Sequence, residues 1–177
     1  MATLGFLINP IAGMGGAVGL KGTDGPATLR EALKKGAKPI APIRAKEYLT
    51  SLLTHSMSFT LLTAPGIMGA DVAKSVGIAH QVIGRIRRKT SAQDTARISR
   101  LMKRRKVDLL VFCGGDGTAR DMLKSVGPNL PVLGVPAGVK VYSSVFAINP
   151  RAAAETTLQF LNRTISTKPG EVLNKTS

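Results

Sequence analysis

At 177 residues, 44% hydrophobic and 20% charged, the chain is long enough for one domain with a sizeable core and has the balance of a globular protein. Its 25 Lys and Arg against 10 Asp and Glu give a formal net charge of +15, so its expected partners are anionic: nucleotides, polyphosphate, nucleic acid or a membrane surface. A single cysteine excludes an intrachain disulfide, no apolar run approaches the roughly 20 residues that span a bilayer, and the N-terminus lacks a basic leader, so a cytoplasmic protein without membrane partners is expected.

Leu4 to Ile8 reads as a short buried parallel strand running into a glycine loop at 9–16. The glycines at 13, 15 and 19 miss the dinucleotide spacing G-x-G-x-x-G by one residue, and no Lys-Ser or Lys-Thr completes a P-loop. A second glycine loop, 19–25, is either a binding loop or a mobile one. Residues 26–36 are expected to be helical, with Pro26 in the first turn and Gly36 as the stop. Pro39 and Pro42 then break the chain before a helix at 45–54, a strand at 59–63, a glycine loop at 64–69, a helix at 70–76 and a strand at 81–83. The repeated strand-loop-helix order predicts an α/β fold, a three-layer Rossmann-like open, mostly parallel sheet with helices on both faces.

Arg85-Ile86-Arg87-Arg88-Lys89 precedes a helix whose start, Ser91-Ala92-Gln93-Asp94, has capping-box form and whose Ile98, Leu101 and Met102 share a face. Arg97, Arg100, Lys103, Arg104, Arg105 and Lys106 dominate its polar side. This reads as a solvated face with cations set against the helix dipole, which also steers phosphate, rather than as a nucleic-acid patch, because no aromatics interleave.

The chemistry concentrates at Cys113-Gly114-Gly115-Asp116-Gly117-Thr118, between the apolar run 107–112 and a helix at 118–126. Glycines around one carboxylate let backbone approach a ligand and leave helix N-terminal amides aimed at it, which suits phosphate. An aspartate there makes sense as a metal ligand or as the acceptor of a proton from an attacking hydroxyl; alternatively it caps the helix of a plain strand-to-helix turn. Cys113, at a strand end, reads as a small buried residue and not a nucleophile. Arg120 and Asp121 follow in the first turns and either face the ligand or pair on the surface. A strand at 131–135 enters the loop 136–140, where Lys140 is a phosphate cation or one more surface lysine. A last helix spans 151–162, and 164–177 reads as a polar linker or frayed end.

Gly114-Gly115-Asp116-Gly117-Thr118 after an apolar strand resembles the signature of the NAD kinase and diacylglycerol kinase superfamily, and Asn9-Pro10-Ile11-Ala12-Gly13 resembles its first motif. With 19–25, 65–69, Asp94-Thr95 and 136–140, the ordered set resembles the ATP-NAD kinase-like family that includes the acetoin-catabolism X proteins. The resemblance implies a nucleotide-binding domain over residues 1–163, completed in the family by a C-terminal β-rich domain. It implies phosphoryl transfer from ATP or polyphosphate to the 2′-hydroxyl of NAD, giving NADP, with Mg²⁺ offsetting charge. Asp116 would be the general base or metal-linked carboxylate. Asn9, Gly13, Gly114, Gly115, Gly117, Thr118, Arg120 and Lys140 would line the nucleotide site. Nothing after Arg163 reads as the second domain, and Leu173-Asn174-Lys175 offers no acid where the family uses an Asn-Glu pair. The expectation is therefore the nucleotide-binding half of a kinase. A non-catalytic nucleotide-binding module and a lipid-kinase-like protein are the alternatives, and a homo-oligomer is possible where an uncovered face would pack.

Overall fold

The computed structural model describes residues 1–20, 23, 25–138 and 140–173. Five strands, β1 (Ala2–Ile8), β2 (Phe59–Thr63), β3 (Gln81–Val82), β4 (Leu109–Gly114) and β5 (Val132–Pro136), form one sheet in the order β3-β2-β1-β4-β5. Every pairing among them is parallel. The helices are α1 (Met14–Ala17), α2 (Pro26–Lys34), α3 (Ala41–Leu53), α4 (Ala70–Val76), α5 (Ala92–Arg104), α6 (Asp116–Val126) and α7 (Pro150–Leu161), with a 3-10 turn at Gly66–Met68.

The expected three-layer α/β architecture is present, and its cause is legible in β4. A strand buried on both faces shows a continuous apolar run, and alternate side chains enter different layers. Leu109, Val111 and Cys113 pack with Tyr48, Leu49 and Leu52 of α3 and Leu158 of α7, whereas Leu110 and Phe112 pack with Ile98 and Met102 of α5 and Met122 of α6. In β1, Phe6 stacks on Tyr48, ring centroids 5.6 Å apart. Gly5 faces the other layer, where a Cβ would lie 3.0 Å from Met102 Sδ. The small α1–α2 pair has its own cluster around Met14, Ala32 and Ala37.

Boundaries differ from expectation where proline and tertiary contacts decide them. Pro42 starts α3 instead of breaking the chain, because proline needs no amide hydrogen in the first turn. Residues 14–17, expected as loop, make one helical turn. Helix α6 begins at Asp116, two residues earlier than expected, so the carboxylate lies in its first turn. Residues 164–173 carry no helix or strand, yet they are not simply frayed. Ser144 N–H donates to the Glu171 carbonyl at 3.0 Å, and Leu173 N–H donates to Ser143 Oγ at 3.1 Å. No helix among the described residues is long and apolar enough to cross a membrane.

Burial pushes the Cys113 thiol well up, against a weaker opposing pull from the Arg44 charge, and its Sγ donates to the Ala41 carbonyl at 3.3 Å. The Tyr48 phenol is pushed up likewise by burial, its hydroxyl lying 3.0 Å from Thr157 Oγ1. Both groups hold their protons more tightly folded than unfolded. Their contribution to stability is full below the ordinary thiol and phenol values and is lost as pH rises above them, the thiol first. Urea midpoints measured from neutral to strongly alkaline pH should therefore fall, and Cys113→Ala should remove the earlier part of that decline. A thiol reagent should label Cys113 only when the chain unfolds.

Candidate functional site

In an open parallel sheet, ligands bind outside the carboxyl ends of the strands where the strand order reverses. Here that point lies between β1 and β4. The turns that follow these two strands hold the residues singled out from the sequence, and hydrogen bonds join them. Asn9 N–H donates to the Cys113 carbonyl at 2.9 Å, extending the β1–β4 ladder by one residue. The Asn9 amide donates to Thr118 Oγ1 at 3.0 Å, linking the first loop to α6, while Asn9 Oδ1 accepts from Ile11 N–H at 3.4 Å. The loop after β5 joins them through Ala137 N–H, which donates to the Gly114 carbonyl at 2.9 Å.

The glycines divide by what requires them. Gly13 has φ 83°, and a Cβ on it would lie 1.8 Å from the Ala137 carbonyl oxygen. It is required by its own backbone and by the contact between the first and third loops. Gly114 lies under Thr118, whose Oγ1 would be 2.5 Å from an added Cβ. Gly115 is different. Its φ is −121°, open to any residue, and an added Cβ would meet nothing within 4 Å. It precedes an 11-residue helix with no side-chain cap, although Ser, Asp or Asn is usual at that position. Neither backbone strain nor packing among the described residues calls for glycine there. The first amides of α6 have no partner within the helix.

Asp116 is 8% exposed. Its Oδ1 accepts from Ser143 Oγ at 2.6 Å, Ser143 N–H at 2.9 Å and Tyr142 N–H at 3.1 Å, and its Oδ2 shares the Tyr142 N–H at 3.1 Å. One oxygen is thus saturated, and the other carries a single long, shared bond. Ser143 is the residue of the candidate site that sequence reasoning misses, since a serine 27 positions from its partner leaves no local signal. Thr118 is 3% exposed, accepts from Asn9 and packs on Gly114. Gly117 lies in the first turn of α6 and is partly exposed. Lys140 is exposed on the loop after β5, with no ion pair or hydrogen bond among the described residues. Arg120 and Asp121 are half-buried and engaged in interactions.

Other motifs have structural roles in view. Thr23 Oγ1 accepts from Gly15 N–H at 2.9 Å, whereas Lys21, Gly22 and Asp24 of the 19–25 loop, Val139, and Asn174 and Lys175 lie outside the described residues. A Cβ on Gly69 would lie 2.2 Å from Thr63 Oγ1, so glycine lets the turn close onto the end of β2. Asp94 is 1% exposed, accepts from Ser91 N–H at 3.1 Å and pairs with Arg97 at 2.5 Å, fixing the start of α5. Arg97 also donates to the Arg85 carbonyl. Among the described residues no three His, Cys, Asp or Glu side chains come together as a metal cage.

These features define a doubly wound Rossmann-like α/β domain whose glycine turns meet at the switch point of the sheet. The family model of the ATP-NAD kinase N-terminal domain matches residues 4–165, and the chain belongs to that family. Neither the curated proteins nor the solved structures searched contain a match to it.

The geometry orders three substitutions by stability. Asp116→Asn keeps an amide oxygen for the three donors at Oδ1 and should cost about 1 kcal/mol, the scale of one lost hydrogen bond. Asp116→Ala orphans buried donors and should cost about 3 kcal/mol or more, while Ser143→Ala removes one bond to a charged acceptor together with the acceptor of Leu173 N–H and should cost about 1.5–3 kcal/mol. Urea unfolding of the three variants checks the order.

Proposed function

We propose that this domain binds a nucleotide across the β1, β4 and β5 loops and provides one wall of a phosphotransfer site. The reaction is transfer of phosphate from ATP or polyphosphate to the 2′-hydroxyl of NAD, giving NADP. The observation that carries the reading is Gly115: an uncapped helix start at the switch point, holding a glycine that nothing among the described residues requires. Glycine at such a place lets ligand oxygens approach backbone amides. Membership in the ATP-NAD kinase family supports the same chemistry.

In this reading the amides at Gly115, Asp116 and Gly117 hold phosphate or ribose oxygens. Thr118 and Asn9 keep the α6 start against β1, and Gly114 and Gly13 permit the close packing. Lys140 and Arg120 add positive charge at the rim. Asp116 accepts the proton of the acceptor hydroxyl at Oδ2, as the three donors at Oδ1 leave that oxygen the less committed. With no cage of ligating side chains among the described residues, the donor set fits Mg²⁺ carried by the nucleotide phosphates and touched by Asp116 at most through Oδ2. Neutralisation of charge on the transferred phosphoryl group is what that ion supplies when bound.

The near-burial of Asp116 and its four contacts favour a second reading, in which the carboxylate only holds the 142–143 loop and the domain binds without catalysing. Gly115→Ser separates binding from folding. Serine caps helices at least as well as glycine, so the variant should unfold at an unchanged or higher temperature while losing the shift that NAD or ATP with Mg²⁺ gives the wild type. That shift corresponds to about 2.7 kcal/mol at a hundredfold excess over Kd. A Gly115→Ser protein that is stabilised as well as the wild type sinks the site. NADP formation abolished in the folded Asp116→Asn protein supports the base, and binding without turnover in the wild type supports the second reading.

A further inference from the structure

Residues 85–106 comprise the lead-in to α5, the helix and its C-terminal turn, and hold ten of the 25 Lys and Arg beside one acid, Asp94. All ten cations are exposed. Two have partners among the described residues: Arg97 pairs with the buried Asp94, and Lys103 donates to the Val126 carbonyl at 2.6 Å, capping α6. Among the described residues no acid pairs with the other eight. Elsewhere Lys35 and Arg44 each pair with a glutamate about one turn away, Glu31 and Glu47, and the remaining cations are scattered along the chain instead of gathered in one stretch.

Helix α5 puts Ile98 and Met102 fully into the core. The same periodicity carries Arg97, Arg100 and Arg104 along the opposite, exposed face. Thirteen residues make a strip about 20 Å long, lengthened at one end by the loop at 85–89 and at the other by 105–106. Like charges at this density repel one another and weaken the fold unless an anion meets them.

We infer that this face docks the phosphate backbone of double-stranded nucleic acid without sequence preference. Three observations select that partner. Residues 85–106 contain no aromatic side chain, so unpaired bases have nothing to stack on. The absence of aromatics thus speaks against a single strand, not against a duplex gripped by its phosphates. The apolar side of α5 is committed to the core, so no apolar face is left to enter lipid. Seven of the ten cations are arginine, whose planar fork matches phosphate oxygens in pairs. Contacts of this kind hold a duplex by counterion release.

The test is fluorescence anisotropy of a short labelled DNA duplex titrated with the full chain across a range of salt. It compares the wild type with a variant carrying R87Q, R88Q, R100Q and R104Q. A control carries K34Q, K38Q, K46Q and K74Q, exposed lysines outside this face, and has the same net charge. None of the eight side chains forms an ion pair among the described residues, so circular dichroism should show both variants folded. The wild type should bind at low salt with log K falling linearly against log salt. The arginine variant should lower that slope by about 3 to 4, near 0.9 for each phosphate it no longer neutralises, while the control keeps the wild-type slope. Equal weakening in both variants overturns the inference, because net charge rather than this face would then bind. Tighter binding to anionic vesicles than to the duplex overturns it too, as does no duplex binding at low salt.

Discussion

The carboxylate of Asp116 fixes the start of α6 to the loop after β5, two segments far apart in the sequence. Two backbone N–H groups and one hydroxyl of the loop after β5 converge on it, and that loop is where the chain leaves the sheet on its way to α7. Buried N–H groups left without an acceptor would cost far more than any one bond returns. The position of Tyr142 and Ser143 therefore follows from where α6 begins. Ser143 Oγ in turn accepts from Leu173 N–H, so the segment after α7 is secured to the same carboxylate through one intervening hydroxyl.

Around this anchor the sheet provides rigidity and the turns provide access. Strands β1 and β4 are buried on both faces, so their register is fixed by two layers of side chains at once. Their carboxyl ends then present three loops at defined spacing, joined by Asn9, Ala137 and Thr118. Most polar groups in those loops are consumed in holding the loops to each other. What is left without a side-chain partner is backbone: the start of α6 and the bare Gly115. Exposed N–H groups at a helix start are the natural match for phosphate and ribose oxygens, which is the binding proposed above.

Charge is distributed on a different principle from the site. Acids are few, and those on α2, α3 and α5 neutralise neighbouring cations on their own helices. The excess positive charge gathers on α5 and its flanks, where folding requires only the inward-facing residues.

The sequence alone was enough for the α/β class and most of the strand-and-helix order, and it singled out the turn at 114–118 that the fold sets at the switch point of the sheet, because these rest on local signals: apolar runs, glycine turns and period. It also sufficed for the family through the ordered motifs, whose matched span is 4–165. It could not distinguish the glycines. Gly13, Gly114 and Gly115 look alike in a string, and only the positions of Ala137 and Thr118 show that two of them serve packing and one does not. Nor could it tell that Pro42 opens α3, which depends on where Ala41 meets β4, or that Asp116 is bound by Ser143 from 27 residues away. Those facts depend on contacts between distant segments, and such contacts exist only once the sheet has brought the segments together.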